Sequence, residues 1–469
     1  MSYETPKAAD YGVNLCEGCL EKQCVIDRQF EEIQRLRQKL HVNQRRLKEG
    51  FFGSSTPSSQ VSVKANSVAE NQARKGGAKL GHQGVGRKVF SLAQADEVRV
   101  AAVAAETCET CQCGLVSHGS NERAIYDLQT EEVRRIYYEI KRRRCPVCRK
   151  TVSGKVLNAM PSAKLSNELV AEVAEQHYVL GRSLGQISDR FGINYSTLVE
   201  SLKRVGKQLA PCLEKLKADY RASAVRHADE TRWRTDGAGG YSWYFGSKEV
   251  SLHLFRETRS ASVPTEVFGK EQLSGVLVVD RYGGYNRVPC RIQYCYAHLL
   301  REQKDLETEF ETNEEVRNYT RAMKICLTDA MQLRKRGLSQ AEHRQQAAAI
   351  KKKMLALSHS QAAHPAIRKW QDFYVEKSER LYQWCESKEI PAENNYAERE
   401  IRKTVIARKI SYGSQSQAGA KTREIWTSVL QSLKKREENP RDKLLKVLNK
   451  LSQNKDLDIA DELFGIQEN

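Results

Sequence analysis

Three carboxylate residues stand where different predicted elements could bring them to one place. Asp229 lies in the strand-like segment HADETRW, Asp280 ends the apolar segment GVLVVD, and Glu398 lies in NNYAER on a predicted helix. A charge among strand-forming residues is unfavourable unless it binds a partner, and an aspartate at a strand end is exposed for binding. Two-metal cleavage of a phosphodiester needs carboxylates that converge and hold the ions about 4 Å apart. The three residues predict a site for two Mg²⁺ or Mn²⁺ ions, since both suit carboxylate ligands.

The same carboxylates have ordinary alternative interpretations. A lone aspartate at a strand end often caps a turn or a helix, and a lone glutamate on a helix is usually solvated. Glu230 competes with Asp229, although alternation along a strand sends these two side chains to opposite faces. Glu393 and Glu400 compete with Glu398. Only geometry can decide between these neighbours.

Two C-x-x-C pairs predict a second kind of metal site. Cys108 and Cys111 form one pair, and Cys145 and Cys148 form the other. Such pairs place two thiolates each on a tetrahedral zinc ion, and the intervening YDLQTEEVRRIYYEIKRRR alternates like two strands that would bring the pairs together. We therefore expect one structural Zn²⁺ held by four thiolates. Cys113 is an alternative to Cys108 or Cys111, because Cys113-Gly114 also resembles a zinc knuckle.

Basic residues accompany both predicted sites. They are positioned to hold DNA phosphates, although hydrated side chains or salt links on a helix face explain them nearly as well. The candidate DNA contacts are Arg134, Arg135, Arg142, Arg143 and Arg144 on the strands before the second cysteine pair, and Arg399, Arg402 and Lys403 beside Glu398.

The remaining cysteines carry weaker signals. The chain has thirteen, and in a reducing compartment such residues hold metal more often than they form disulfides. Cys16, Cys19 and Cys24 cluster but lack an identifiable fourth ligand. Isolated cysteines are predicted to be small buried apolar residues, and these are Cys212, Cys290, Cys295, Cys326 and Cys385.

The elements that must position the three carboxylates follow residue 220. The segments AVRHADETRW, YSWYFG, VSLHLF, GVLVVD and IQYCYAH read as strands, in the order three strands, helix, strand, helix, strand, helix. A ribonuclease H-like core, a mixed sheet flanked by helices, has this order. We predict such an α/β catalytic domain over residues 221–412, with a helical insertion at about 300–385 and a C-terminal helical region at 413–469.

The region before this core divides into four predicted parts. Residues 1–50 form a helix, in which Ile26 and Ile33 begin a heptad series that polar residues interrupt, so a short coiled coil and a surface helix are both possible. Residues 51–90 form a basic Gly/Ser linker, and 91–160 form the zinc-binding DNA-binding module. Residues 161–220 are helical and contain SLGQISDRFGINYSTLVESLKRV, with a turn at Gly192. This pattern suits either a DNA-reading helix-turn-helix or a plain helical hairpin.

The overall charge points to a polyanionic partner. Lysine and arginine outnumber aspartate and glutamate by 77 to 59, and the formal net charge is +18. This excess attracts nucleic acid before any specific contact forms. No run of eighteen apolar residues indicates a membrane span, and the start MSYETPKAAD is unlike a signal peptide. We expect a soluble, cytoplasmic, nucleoid-associated protein that binds DNA and not a membrane.

Taken together, these motifs resemble the transposases of the insertion sequence 66 family, over nearly the whole chain. The matching pieces include FFGSS, GGAKLGHQGVGR, the paired cysteines, HADETRW, VVDRYGGY, CYAHLLRE and NNYAEREIRKTVIARKISYGS. The resemblance implies a DNA transposase with an Asp-Asp-Glu triad at Asp229, Asp280 and Glu398 on a ribonuclease H-like fold. It places the zinc-binding region on the module from Cys108 to Cys148. Expected partners are the terminal inverted repeats, target DNA, further copies of the chain and accessory proteins of the same element.

Some features depart from the family pattern or leave the function open. CETCQCG has three cysteines where the family has a plain CxxCG, and SSTPSS replaces the family's SEK-like segment. His298 in CYAHLLRE either approaches the catalytic site or has a packing or capping role. A DNA-binding regulator without catalysis is the main alternative function, and a nuclease or resolvase on the same core is a third. The presence of all three carboxylates favours the active transposase.

Overall fold

The computed structural model describes residues 90–129 and 132–465, together with scattered helical positions between 22 and 36. It divides the chain into two units, residues 1–65 and 66–469. In the first unit, Ile26, Phe30 and Ile33 are helical and exposed. The rest of the predicted heptad series, the linker and the cluster at Cys16, Cys19 and Cys24 lie outside the described residues.

A small sheet begins the second unit. Its strands are β1 (Glu97–Ala101), β2 (Val116–Gln129), β3 (Glu132–Arg144) and β4 (Thr151–Ser153). The long strands β2 and β3 pair antiparallel, and β1 and β4 pair with the other edge of β3. Ile125 and Ile136 are fully buried in its core. The alternating segment between the cysteine pairs thus forms the predicted pair of strands.

A helical region follows. Helix α1 (Asn167–Ala174) continues into a turn of π-helix at Glu175–Val179. Helices α2 (Leu184–Phe191), α3 (Tyr195–Leu209) and α4 (Cys212–Ala222) come next. Gly192 ends α2 in the left-handed conformation, with φ 62°, which glycine adopts at no steric cost, and Asn194 caps α3 by accepting a hydrogen bond from the backbone N–H of Ser196. The predicted helix, turn and helix are confirmed as elements.

Five strands form the second, mixed sheet. They are β5 (Val225–Thr235), β6 (Ala238–Gly246), β7 (Ser251–Arg256), β8 (Val276–Val279) and β9 (Arg291–Tyr294). Their order across the sheet is β7-β6-β5-β8-β9, with β5, β6 and β7 antiparallel and with β8 and β9 parallel to β5. Apolar side chains of this sheet are buried against the surrounding helices in one continuous core.

The connections of this sheet differ from the prediction at two places. The helix α5 (Ser262–Phe268) joins β7 to β8 as predicted, but the connection from β8 to β9 contains only a 3₁₀ turn at Gly283–Tyr285. Two adjacent glycines make a longer helix unfavourable there. The predicted strand IQYCYAH ends at Tyr294, and its last residues open a helix.

The described residues after β9 are mainly helical. The helices are α6 (Tyr296–Glu309), α7 (Glu314–Leu333), α8 (Gln340–Ser358), α9 (Pro365–Glu376), α10 (Asn395–Ser411), α11 (Gln417–Arg436), α12 (Pro440–Gln453) and α13 (Ile459–Phe464). The region predicted as a helical insertion is therefore helical. Over the part of the chain that the structure describes, none of the helices has the length and apolar character needed to cross a membrane.

Candidate active site

The three candidate carboxylates converge at one edge of the mixed sheet. Strands β5 and β8 are parallel neighbours, and His227 of β5 is opposite Val278 of β8. Asp229 and Asp280 each follow that register pair by two residues, so both carboxylates lie at the same level of the sheet. Helix α10 packs on β5 and β6 and carries Glu398 in its first turn.

The charges of the three carboxylates act on one another. The pKa of Asp229 is raised well above its usual value, first by burial and then by the negative charges of Glu230, Asp280 and Glu398. Asp229 accepts a hydrogen bond from the backbone N–H of Glu230 at 2.9 Å, and Asp280 accepts one from that of Tyr282 at 2.9 Å. Carboxylates that repel one another in this way favour a bound cation, and an all-oxygen set suits a hard divalent ion.

Glu230, the nearest competitor of Asp229, is already engaged within the protein. One of its carboxylate oxygens accepts hydrogen bonds from Arg259, with Nε at 2.8 Å. The other accepts a hydrogen bond from the hydroxyl of Tyr285 at 2.6 Å. The side chain of Glu230 is buried. The Arg259 guanidinium is the internal counter-ion of its carboxylate. Asp229 has no such cation partner among the described residues.

The competitors of Glu398 face other groups. Glu398 lies 3.8 Å from Nδ1 of His298 and 3.4 Å from a guanidinium nitrogen of Arg301. Glu400 instead accepts a hydrogen bond from Lys403 at 2.8 Å. Glu393 precedes the helix, whereas the negative charge of Glu398 is among the main causes of the raised pKa of Asp229.

Asn394 fixes the start of α10 against the sheet. Its side-chain amide donates to the carbonyl of Ala228 at 2.8 Å, and its side-chain oxygen lies 2.8 Å from Nδ1 of His227. Its backbone N–H donates to Sγ of Cys295 at 3.1 Å. Burial lowers the pKa of His227 to about 4, so this imidazole is neutral and its Nδ1–H donates to Asn394. The buried Asn394, one helical turn before Glu398, thereby connects α10 to β5 and to the start of α6.

The far end of α10 is attached to the same strand. Gly413 has φ 126°, and a Cβ there would lie 2.2 Å from the carbonyl oxygen of Arg234. Only glycine allows this close approach. Ser414 then donates from its backbone to that carbonyl at 2.9 Å and accepts from the indole of Trp233 at 3.1 Å. Helix α10 is held along β5 at both ends.

The loop that carries Asp280 is anchored on both sides. Arg281 forms an ion pair with Glu302 of α6, and its guanidinium lies 4.7 Å from the ring centroid of Phe373 on α9. Tyr282 donates to the carbonyl of Arg259, whose guanidinium lies 4.0 Å from the Tyr282 ring centroid. These contacts connect the position of Asp280 to the helical insertion.

The two cysteine pairs meet at the end of the small sheet. The sulfur atoms of Cys108, Cys111, Cys145 and Cys148 all lie within 4.8 Å of one another, and those of Cys108 and Cys148 are 3.5 Å apart. Four thiolates about 2.3 Å from one zinc ion would be about 3.8 Å apart, so the donor set fits tetrahedral zinc. Cys113 is also close, with its sulfur 3.2 Å from that of Cys145.

Backbone hydrogen bonds favour the thiolate form of Cys145, whereas the neighbouring thiol of Cys148 and burial raise the pKa of Cys111 to about 12. Burial opposes ionisation of Cys145, but hydrogen bonds from the backbone N–H of Cys148 and from neighbouring thiols lower its pKa to about 6. Gln112 and Arg149 adopt positive φ, 56° and 61°, one residue after each pair. The two pairs therefore lie in equivalent turns, and Cys145 is ready to bind metal at neutral pH.

The candidate DNA-contacting arginines of β3 do not form one surface. Alternation sends Arg134, Arg142 and Arg144 to one face of the strand and Arg135 and Arg143 to the other. The Arg135 guanidinium forms an ion pair with Asp96 at 2.7 Å. On α10, Arg399, Arg402 and Lys403 are exposed. The guanidinium of Arg135 is therefore paired within the protein, whereas Arg134 on the other face of β3 and the three basic residues of α10 are exposed.

Sequence reasoning missed the residues that hold the site together. Asn394, Arg259 and Tyr285 act through contacts with residues far away in the chain, which spacing does not reveal. The doubled asparagine at the start of α10 is a weak local signal for a helix start. Cys295, interpreted as a small buried residue, is buried, but it also lies beside His298 and Glu398 in a three-residue group of possible metal ligands.

Part of the chain matches a known protein family. The family model described as "Transposase IS66 family" matches residues 159–422, more than half of the chain. The match includes all three converging carboxylates and ends within α11. No curated protein matches the chain.

Proposed function

This chain belongs to the IS66 family of transposases, and we propose that it binds the ends of a mobile DNA element, cleaves them and joins them to target DNA with Asp229, Asp280 and Glu398. The convergence of these three carboxylates from β5, the end of β8 and α10 is the observation that carries the proposal. The raised pKa of Asp229, caused by burial and by its acidic neighbours, supports a site that is completed by cations.

We also infer that the mixed sheet is a ribonuclease H-like core. Three antiparallel strands are followed by two parallel strands on the other side of the first, in the order β7-β6-β5-β8-β9. The first strand is central and carries one carboxylate, and the fourth carries the second at its end. A helical insertion between β9 and α10 precedes the third. This arrangement supports the inference.

Each residue of the site has a distinct role in the proposed reaction. Asp229, Asp280 and Glu398 would hold two divalent ions, Mg²⁺ or Mn²⁺. When bound, such ions lower the pKa of an attacking water or 3′-hydroxyl and stabilise the leaving oxygen. Asn394 orients the helix of Glu398. Arg399 and Arg402, exposed next to Glu398, would hold the DNA backbone in place.

The cysteine module supports DNA binding in this proposal. Cys108, Cys111, Cys145 and Cys148 would hold one structural Zn²⁺ and so fix the ends of β2 and β3. Arg134, Arg142 and Arg144 on one face of β3 would then contact phosphates. Because two element ends have to be held together for joining, we expect a homo-oligomer on DNA, and accessory proteins of the element remain an expectation.

The proposal can be tested with labelled DNA that carries the element's terminal repeat. The full chain should yield both cleaved ends and joined products with Mg²⁺ or Mn²⁺, and neither product with a chelator. Binding without either product would favour the non-catalytic regulator. Cleavage without joined products would favour the nuclease.

A further inference from the structure

A second cluster of metal-ligating side chains lies beside the candidate active site and contains sulfur and nitrogen. The ligand atoms of Cys295, His298 and Glu398 all lie within 4.8 Å of one another. Cys295 and His298 stand three residues apart at the start of α6, and Glu398 comes from the first turn of α10. The hydrogen bond from Asn394 to Cys295 holds these two helix starts together.

We propose that Cys295, His298 and Glu398 form a binding site for a thiophilic divalent cation of the Zn²⁺ class, which competes with the catalytic ions for Glu398. The proposal rests on the proposed function only for its inhibitory consequence. The binding site itself is independent of catalysis.

The geometry needs only a small adjustment to bind zinc. Nδ1 of His298 and a carboxylate oxygen of Glu398 are 3.8 Å apart, whereas ligands of one tetrahedral zinc ion are separated by about 3.3–3.6 Å, from zinc–ligand distances of about 2.0–2.3 Å. The side chains of His298 and Glu398 are 34% and 32% exposed, so they can move and an ion can reach them from solvent. Cys295 is buried and fixed. Three protein ligands leave the fourth position of a tetrahedral zinc ion open to water.

His298 provides an independent sign of an absent ligand. Its Nδ1 atom is buried and has no hydrogen-bond partner among the described residues. A buried imidazole nitrogen without a partner is unfavourable, and a metal ion held jointly with Cys295 and Glu398 would satisfy it.

The donor set determines which cations the site would select. A thiolate, an imidazole and a carboxylate favour zinc over magnesium, because soft ligands prefer softer ions. Mg²⁺ would remain at the all-oxygen set of Asp229, Asp280 and Glu398. An ion bound through Cys295 would engage the Glu398 carboxylate and withdraw it from that set. Zinc is therefore expected to inhibit Mg²⁺-dependent joining.

Metal content tests the binding site without DNA or activity. The full chain and its variants would be dialysed against the same buffered Zn²⁺ concentration and analysed for bound zinc. We expect Cys295→Ser and His298→Asn each to bind one equivalent less than the native chain. Cys326→Ser, which changes a buried thiol on α7, is the matched control and should retain the native content. Native zinc content in both Cys295→Ser and His298→Asn would overturn the proposed site.

Inhibition tests the competition for Glu398. The Zn²⁺ concentration that halves Mg²⁺-dependent strand transfer should rise at least about tenfold in His298→Asn, which is the lower range for loss of a group that supports a metal site, and should be unchanged in Cys326→Ser. Equal sensitivity of His298→Asn and the native chain would overturn the competition. Because zinc content is measured without DNA, a chain that binds this zinc but never joins DNA would refute the proposed function alone.

Discussion

Asp229 destabilises the folded chain at neutral pH. Its folded-state pKa is raised, chiefly by burial and then by Glu230, Asp280 and Glu398. Folding therefore favours the protonated acid, so this contribution to stability is present below the ordinary carboxyl pKa and is lost as pH rises through the folded-state pKa. Such a disadvantage is typical of residues kept for function.

Replacing Asp229 should therefore stabilise the protein while it removes activity. We expect Asp229→Asn to raise the thermal midpoint at neutral pH in the absence of divalent ions, with the difference shrinking at acidic pH. Calorimetry across this pH range is the measurement. Glu230→Gln is the contrast, because burial raises the pKa of Glu230 as well but its charge is paired with Arg259, so this substitution should raise the midpoint less than Asp229→Asn does. Asp229→Asn with a lowered midpoint at neutral pH would contradict this account.

The choice between Cys111 and Cys113 as zinc ligands is also decided at the residue scale. Cys111 belongs to the group of four sulfurs within 4.8 Å, so we expect Cys111→Ser to lose one zinc equivalent and Cys113→Ser to retain it. Zinc content after dialysis against a chelator is the measurement. The reverse pattern would mean that Cys113 replaces Cys111, as the extra cysteine in CETCQCG allows.

At the scale of elements, α10 carries the third carboxylate and is attached to β5 at both ends. Asn394 secures its start through contacts with Ala228, His227 and Cys295. A displacement of the helix by even about 1 Å would misplace Glu398, and errors of that size reduce rates by about 100-fold.

We therefore expect Asn394→Ala to reduce the turnover of strand transfer by about 10- to 100-fold, the range found for groups that orient metal ligands. DNA affinity should change little, since Asn394 is buried. Asn395→Ala changes the adjacent exposed residue and is the control. The rate of joining at saturating DNA, compared with the dissociation constant, is the measurement. A loss of affinity without a loss of turnover would argue against a positioning role.

The elements themselves were largely predictable from the sequence. The segments that became β5 to β8 are rich in β-branched and aromatic residues, and their alternation survives in the fold. The prediction of a helix after Asp280 was wrong, because Gly283 and Gly284 favour only a 3₁₀ turn. Asp229 could be found because a charge in a strand is anomalous by itself, whereas Glu398, on a helix, was selected through the order of the motifs and the family resemblance. Asn394 and Arg259 could not, because their roles depend on partners far away in the chain.

At the scale of the whole molecule, the charge of +18 predicts binding to DNA that weakens steeply with salt. Exposed basic residues on α10 lie next to the candidate active site, whereas other exposed basic residues lie on the helical insertion. Only residues that contact phosphates should contribute to the salt dependence.

We expect the double variant Arg399→Ala, Arg402→Ala to reduce the slope of log affinity against log salt by about 2, one for each lost phosphate contact. The control is Lys352→Ala, Lys353→Ala, which removes the same charge from the exposed surface of α8. Titration of labelled DNA at several salt concentrations measures both. Equal changes in the two variants would mean that total charge, rather than the α10 surface, determines binding.

The central claim is that Asp229, Asp280 and Glu398 carry the reaction, and the most direct test is strand transfer of terminal-repeat DNA in Mg²⁺ by conservative single variants. Asp229→Asn, Asp280→Asn and Glu398→Gln should still bind DNA but lose joining by at least about 100-fold, since even supporting groups of metal ligands are worth 10- to 100-fold. The neighbours Glu393→Gln and Glu400→Gln should retain it. A triad variant that joins DNA at the native rate, or a neighbour that abolishes joining, would contradict the assignment.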